Sequence, residues 1–138
     1  MNLLDSDTLT LLTGGHPRVI ERVLAATDAV ATTVISRIEI LRGRFDFVMK
    51  AADGQQLQRA QKWLDQSEAE LRKLIIVPID EAAAGQFDHL RTHKQLRKIG
   101  RADLLIACIA IANRATLVSR NLKDFRLVPN LKVENWAD

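Results

Sequence analysis

Four stretches of the chain place oxygen-bearing side chains where a short apolar run ends or a long one begins. Asp5 closes the run Asn2 to Leu4. Ser36, and Glu39 one helical turn later, follow the Val- and Thr-rich run 29–33, while Asn121 follows 115–118 with Asp124 three residues on. Asp103 stands directly before the apolar stretch Leu104 to Ala112. Carboxylates seldom lie so near a core unpaired. Three or four of them within a few ångströms repel one another, and their pKa values rise unless a cation compensates. Oxygen donors with no Cys and no convergent His select Mg2+ or Mn2+ over Zn2+. An ion so held polarises a phosphoryl oxygen and activates a water, while a neighbouring carboxylate such as Glu39 orients that water or takes its proton. The chemistry is phosphodiester hydrolysis.

For these residues to meet, the elements around them must converge. Asn2 to Leu4, Ala29 to Thr33, Leu74 to Val77 and Ala115 to Val118 read as buried strands, with Leu131 to Glu134 a short fifth at the edge. Between them lie helices. One starts at Pro17, and a second covers Ile35 to Phe47 with an end near Gly43. A long amphipathic helix spans 55–73 with Leu57, Ala60, Leu64 and Leu71 on three-four spacing, and another is capped by Asp80. The last, Arg101 to Arg114, is apolar nearly all round and must be buried on most sides. Alternating strands and helices predict a three-layer α/β/α sandwich around a mostly parallel sheet of about five strands. In such sheets the active crevice lies beyond the carboxyl ends of the strands, where these side chains fall. Each acid also has a plain structural use. Asp5 can cap a helix starting near Asp7, Asp103 can complement a helix dipole, Glu39 can be a solvated helix residue, and Asn121 with Asp124 can make an Asx turn.

The 138 residues are 47% apolar and 27% charged, the balance of one globular domain over 1–138, with no repeat or linker to divide it. The single Cys108 excludes an internal disulfide, and Asp5 stands where a secretory leader would carry positive charge; both fit a cytoplasmic protein. The longest apolar run is about half of what a bilayer needs. The net charge is +3, and Arg91 to Arg101 reads RTHKQLRKIGR without an acid. There Arg97, Lys98 and Arg101 are candidates to hold a phosphate backbone, with Arg37, Arg42 and Arg44 as a second bank; the alternative for the stretch is a solvated helix face. His89 and His93 have the spacing of a zinc pair but no third ligand in view.

Four stretches carry a family resemblance: LLDSDTL at 3–9, TTVISRIEILRG at 32–43, IGRADLLIACIAIANRATLVSRNLKDF at 99–125, and the ending LKVENW. Their order and spacing over nearly the whole chain resemble the PIN-domain ribonucleases, specifically the VapC toxins of prokaryotic toxin–antitoxin pairs. The resemblance implies a metal-dependent ribonuclease in which Asp5, Glu39 and Asp103 form the acidic cluster, with Asn121, or Asp124 three residues on, at the fourth catalytic position. It implies Mg2+ or Mn2+ at Asp5 and Asp103, with Asp7, Ser36, Ser119 and Asp124 supporting them. Many relatives have Asp where this chain has Asn121, while others have Asn with an acid three residues on, as Asp124 is here. The partners it implies are RNA, a second copy of the chain in a homodimer, and an antitoxin segment in an apolar groove. Phe45, Phe47, Val48, Trp63 and Leu64 are material for that groove. Competing readings are a PIN nuclease of RNA processing and a non-catalytic binding module with an acidic pocket. A phosphatase using the Asp5-x-Asp7 pair is a more distant one, disfavoured by the missing cap insertion and by Glu39.

Overall fold

Every short apolar run becomes a strand, and every longer periodic segment a helix that covers the sheet. In the computed structural model, which describes residues 1–138, the order is β1 (Asn2–Leu4), α1 (Ser6–Thr13), α2 (Pro17–Ala25), β2 (Val30–Thr33), α3 (Val34–Lys50), α4 (Gly54–Arg72), β3 (Ile75–Val77), α5 (Glu81–Leu90), α6 (Arg101–Ala112), β4 (Thr116–Val118), α7 (Leu122–Phe125) and β5 (Lys132–Glu134). A single 3-10 turn, Lys94–Leu96, lies between α5 and α6. The five strands are all parallel, in the order β3-β2-β1-β4-β5. The chain builds outward from β1 to β3 on one side and then crosses back to β4. The topological switch therefore lies between β1 and β4.

Alternation along the strands separates two cores. Leu3, Ala31 and Leu117 face the cluster formed with Ala83, Leu90, Ile106, Ile109 and Phe125. Leu4 and Val118, one residue on, face Leu9, Leu71 and Trp136 on the other side. These are the two outer layers of the expected sandwich: α5 and α6 on one face, α1 to α4 and the C-terminal tail on the other. The tail is tied down. Trp136 donates its indole N–H to Glu134 Oε2 at 2.9 Å, and the Arg22 guanidinium lies 5.4 Å over its ring. No helix is long and apolar enough to cross a membrane.

Two local expectations are corrected. The second helix, α3, does not stop near Gly43 but continues to Lys50. A glycine in a helix costs about 1 kcal/mol relative to alanine, and packing of α3 along α4 offsets it: Phe47 meets Trp63 edge-on at 4.8 Å, and Arg44 donates to Ser67 at 2.9 Å. The basic stretch is also not a helix face. Here α5 ends at Leu90, and the chain folds over the core through buried Leu96 and Ile99, so its charges stand on a loop.

The two-sided core gives a direct check. Leu117, with no exposure in a strand beside β1, should cost about 2 to 5 kcal/mol on replacement by alanine, measured by urea unfolding. Leu24, 81% exposed, should change stability by less than about 0.5 kcal/mol in the same assay. Equal losses at both positions would contradict this layering.

Candidate active site

Parallel pairing brings the carboxyl ends of β1, β2 and β4 to one edge at one height. Leu4 pairs with both Thr32 and Val118, so Asp5, Thr33 and Ser119 are the next residues on three adjacent strands. The Asp5 amide continues the ladder to the Val118 carbonyl at 3.0 Å. The Asp5 carboxylate accepts the Thr8 N–H at 2.8 Å. Capping α1 and facing the site are thus one placement, not two alternatives. Asp5 is 6% exposed, and the fully buried Ser119 lowers the cost of its charge. Ser119 is fixed from two directions: its amide donates to the Glu134 carbonyl at 2.9 Å, and its oxygen accepts the Asn121 N–H at 2.9 Å.

Asp103 enters from the first turn of α6, whose N-cap Gly100 offers no side chain to the free amides. A carboxylate there complements the helix dipole. The Asn121 amide nitrogen bridges two acids, donating to Asp103 at 3.4 Å and to Asp124 at 3.1 Å. Its carbonyl oxygen accepts the Asp124 N–H at 3.4 Å and caps the short α7. Asn121 thus stands among the acids as a donor, and its oxygen is already engaged. Glu39, exposed on α3, accepts a hydrogen bond from the Ser6 hydroxyl at 2.7 Å. Ser6, bonded also to the buried Ser36 hydroxyl at 3.0 Å, was not among the residues singled out by spacing. Its bond to Glu39 spans 33 positions, and no local pattern announces it.

The electrostatics reports how close these groups are. Burial pushes the Asp103 carboxyl up, and the charges of Asp5, Glu39 and Asp124 push it further, against the pull of the Asn121 amide. Asp5 is likewise raised, first by burial and also by exposed Asp7, against hydrogen bonds from Ser119 and Thr8. Asp103 thus feels the charges of the other three acids. As they stand, no three ionisable side chains are drawn tightly enough to close on an ion. The donors gathered here are oxygens with no thiol or imidazole among them, the set a hard divalent cation prefers, and Asp5 and Asp103 would be the residues to hold it.

A comparison with sequence families matches residues 3–131 to the PIN domain model. The chain belongs to the PIN domain family. Ribonuclease VapC2 of Rickettsia felis is 43% identical over 68 residues, a segment spanning 48% of this chain and 51% of that protein. Ribonuclease VapC1 of Haemophilus influenzae strain R2866 is 28% identical, with 98% of this chain and 97% of that protein aligned. Among solved structures, a chain of the VapBC2 crystal structure from Rickettsia felis, bound to a promoter DNA fragment, superposes with a TM-score of 0.75. It is 31% identical and covers 98% of both chains. VapBC-1 of nontypeable Haemophilus influenzae, 22% identical with a TM-score of 0.78 over 99% of this chain, shares the fold.

Around the acids of this PIN domain the cations divide. Arg97 and Lys98 are exposed on the loop before α6 and make no ion pair. Arg101, at the first position of α6, lies 4.9 Å over the Phe87 ring. Arg44 does not join a second phosphate bank, since it stacks on Trp63 at 3.7 Å and is held between α3 and α4. Two histidines of zinc-like spacing are engaged otherwise: His93 Nδ1 contacts the His89 carbonyl at 3.0 Å, with no third ligand. Cys108 is a buried apolar residue, its thiol pushed up to about 11 by burial.

A raised carboxylate pKa fixes the sign of a stability effect. Below the ordinary carboxylate range, folded and unfolded chains both hold the proton and Asp103 costs nothing. As pH rises through the raised value, the folded state must ionise a group it disfavours, so stability is lost. Asp103→Asn should therefore raise Tm in EDTA at about pH 7, and the gain should fade toward about pH 3. A lower Tm for the variant at neutral pH would show that attraction to the α6 dipole outweighs repulsion among the acids.

Proposed function

We propose that this PIN domain, one unit over 1–138, is a VapC-type ribonuclease that hydrolyses RNA phosphodiester bonds with Mg2+ or Mn2+, acting as the toxin of a toxin–antitoxin pair. The observation that carries the reading is that acids following β1 and on α3, α6 and α7 come close enough for Asp5, Glu39 and Asp124 to raise Asp103 by their charge, while burial raises Asp5 and Asp103 alike. Asp5 and Asp103 would hold the ion, which supplies a positive charge for the phosphoryl oxygen and lowers the pKa of a nearby water. Glu39, free at its second carboxylate oxygen, orients the attacking water and accepts its proton. Asn121 keeps Asp103 and Asp124 at fixed separation with its two amide hydrogens, and Ser119 holds Asp5. Arg97, Lys98 and Arg101 draw in the RNA backbone by charge. The implied compartment is the cytoplasm.

The same reading assigns partners. One structure that superposes on this chain, VapBC-5 from Mycobacterium tuberculosis, is described as a member of the VapBC family of toxin–antitoxin systems. A cleft of about 700 Å³ between α3 and α4, lined by Phe47, Lys50, Arg59 and Trp63 among others, is the place for an antitoxin segment. Of the residues considered for such a groove, Phe47 and Trp63 line it, while Phe45, Val48 and Leu64 do not. The cleft follows the face of α3 that carries Glu39, since residues 39, 43, 46 and 50 fall on one helical stripe. An occupant would lie in line with the acids. A homodimer completes the proposed assembly.

Antitoxin-free protein should cut a mixed single-stranded RNA in Mg2+ or Mn2+ and stop in EDTA. Asp5→Asn and Asp103→Asn should each keep the fold and lower cleavage at least about a hundredfold, the scale for losing a catalytic group. Undiminished cleavage in both variants would remove the assignment. A folded protein that neither cuts nor binds the metals would be a binding module.

A further inference from the structure

We propose that Ser6 is a positioning residue for the reaction: its hydroxyl, backed by a chain of buried hydroxyls, fixes the Glu39 carboxylate in the orientation that water activation requires. The inference rests on the ribonuclease reading for its consequence, but its geometry stands on contacts independent of that reading.

Glu39 lies exposed on α3. A solvated glutamate ordinarily samples several rotamers, and fixing one costs conformational entropy. Here a 2.7 Å bond from the Ser6 hydroxyl to Oε1 restrains it. An ionised carboxylate only accepts, and a hydroxyl has one proton, so the Ser6 proton goes to Glu39. The 3.0 Å contact between Ser6 and Ser36 must then carry the Ser36 proton. In the same way, the Ser36 oxygen accepts from the Thr33 hydroxyl at 3.3 Å, and Thr33 accepts the Ser36 backbone N–H at 3.1 Å. The result is a relay of single polarity, from the first turn of α3 through Thr33, Ser36 and Ser6 to Glu39.

Each link but the last is anchored. Thr33 and Ser36 have no exposure, and Thr33 is the N-cap of α3. Ser6 follows Asp5, whose amide is tied to β4, so the backbone that carries Asp5 also carries the hydroxyl that grips Glu39. Two acids from different elements are thereby referenced to one peptide. Hydrogen bonds in series strengthen one another, and one ending on a charge is short, as the 2.7 Å link is. With one lone pair of Oε1 taken by Ser6, Oε2 is the oxygen left with both lone pairs open to a water. Ser6 thus sets how the Glu39 carboxylate is turned.

The test uses the full chain with Ser6→Ala and Ser6→Thr, the second keeping the hydroxyl. Two readouts are needed. The first is the rotamer distribution of Glu39, read by NMR couplings and the carboxyl carbon shift, which requires no activity. Glu39 should hold one rotamer in the parent, average among several in Ser6→Ala, and return to one in Ser6→Thr. The second is RNA cleavage, with Asp103→Asn as control. Ser6→Ala should lower kcat by about 10- to 100-fold, the range seen when a group supporting a site residue is removed. KM should stay within about twofold, and Ser6→Thr should recover most of the rate. Rotamer averaging of Glu39 in the parent, or equal kcat in Ser6→Ala, overturns the proposal. Cleavage insensitive to Asp103→Asn overturns the ribonuclease reading instead, while the rotamer result still decides whether Ser6 holds Glu39.

Discussion

Like charges gathered at the carboxyl edge of a parallel sheet are the constraint on which the rest of this structure depends. Asp5, Glu39, Asp103 and Asp124 repel, and burial adds to the cost for the two that lie deepest. The fold answers with donors. Asp5 takes an amide of α1 and the Ser119 hydroxyl, Asp103 takes the Asn121 amide and sits at the start of α6, and Glu39 takes Ser6. Helix N-termini contribute the remaining positive potential, since α1, α3, α6 and α7 all begin at this edge. The proposed metal site rests on the oxygens that these acids bring together.

The parallel sheet makes this convergence possible. All its strands end on one side, so side chains distant in sequence meet without long loops, and the switch between β1 and β4 leaves room for them. The two cores keep that edge rigid. On one face α6 is buried through Ile106 to Ala110, which sets the depth at which Asp103 enters. On the other face Trp136 and the Glu134 carbonyl brace β4 just behind Ser119. The C-terminal tail therefore supports the site without being part of it.

Much of this was legible in the sequence because it follows from short-range patterns. Apolar runs and their punctuation mark all five strands within a residue or two, and an apolar helix opening on an acid marks Asp103 as a charge at the rim of a core. The family motifs add the order of the acids. What the sequence hides depends on contacts between distant elements. Gly43 reads as a helix end, but the partnership of Arg44 and Phe47 with α4 carries the helix past it. The helix face that is the plain alternative for the 91–100 stretch does not form, because Leu96 and Ile99 pull it onto the core as a loop. Asn121 reads as one more oxygen-bearing side chain after a strand, and only the neighbouring acids show that its nitrogen is turned toward them. Ser6 is the clearest instance, since a serine after a helix cap says nothing about a glutamate on another helix.

The claim that these acids form one cation site is tested most directly by titrating the metal-free protein with Mn2+ and counting bound ions by electron paramagnetic resonance, without RNA. The account predicts saturable binding in the parent that is lost in both Asp5→Asn and Asp103→Asn. Binding that persists unchanged in both variants, or a parent that binds no Mn2+, would contradict it.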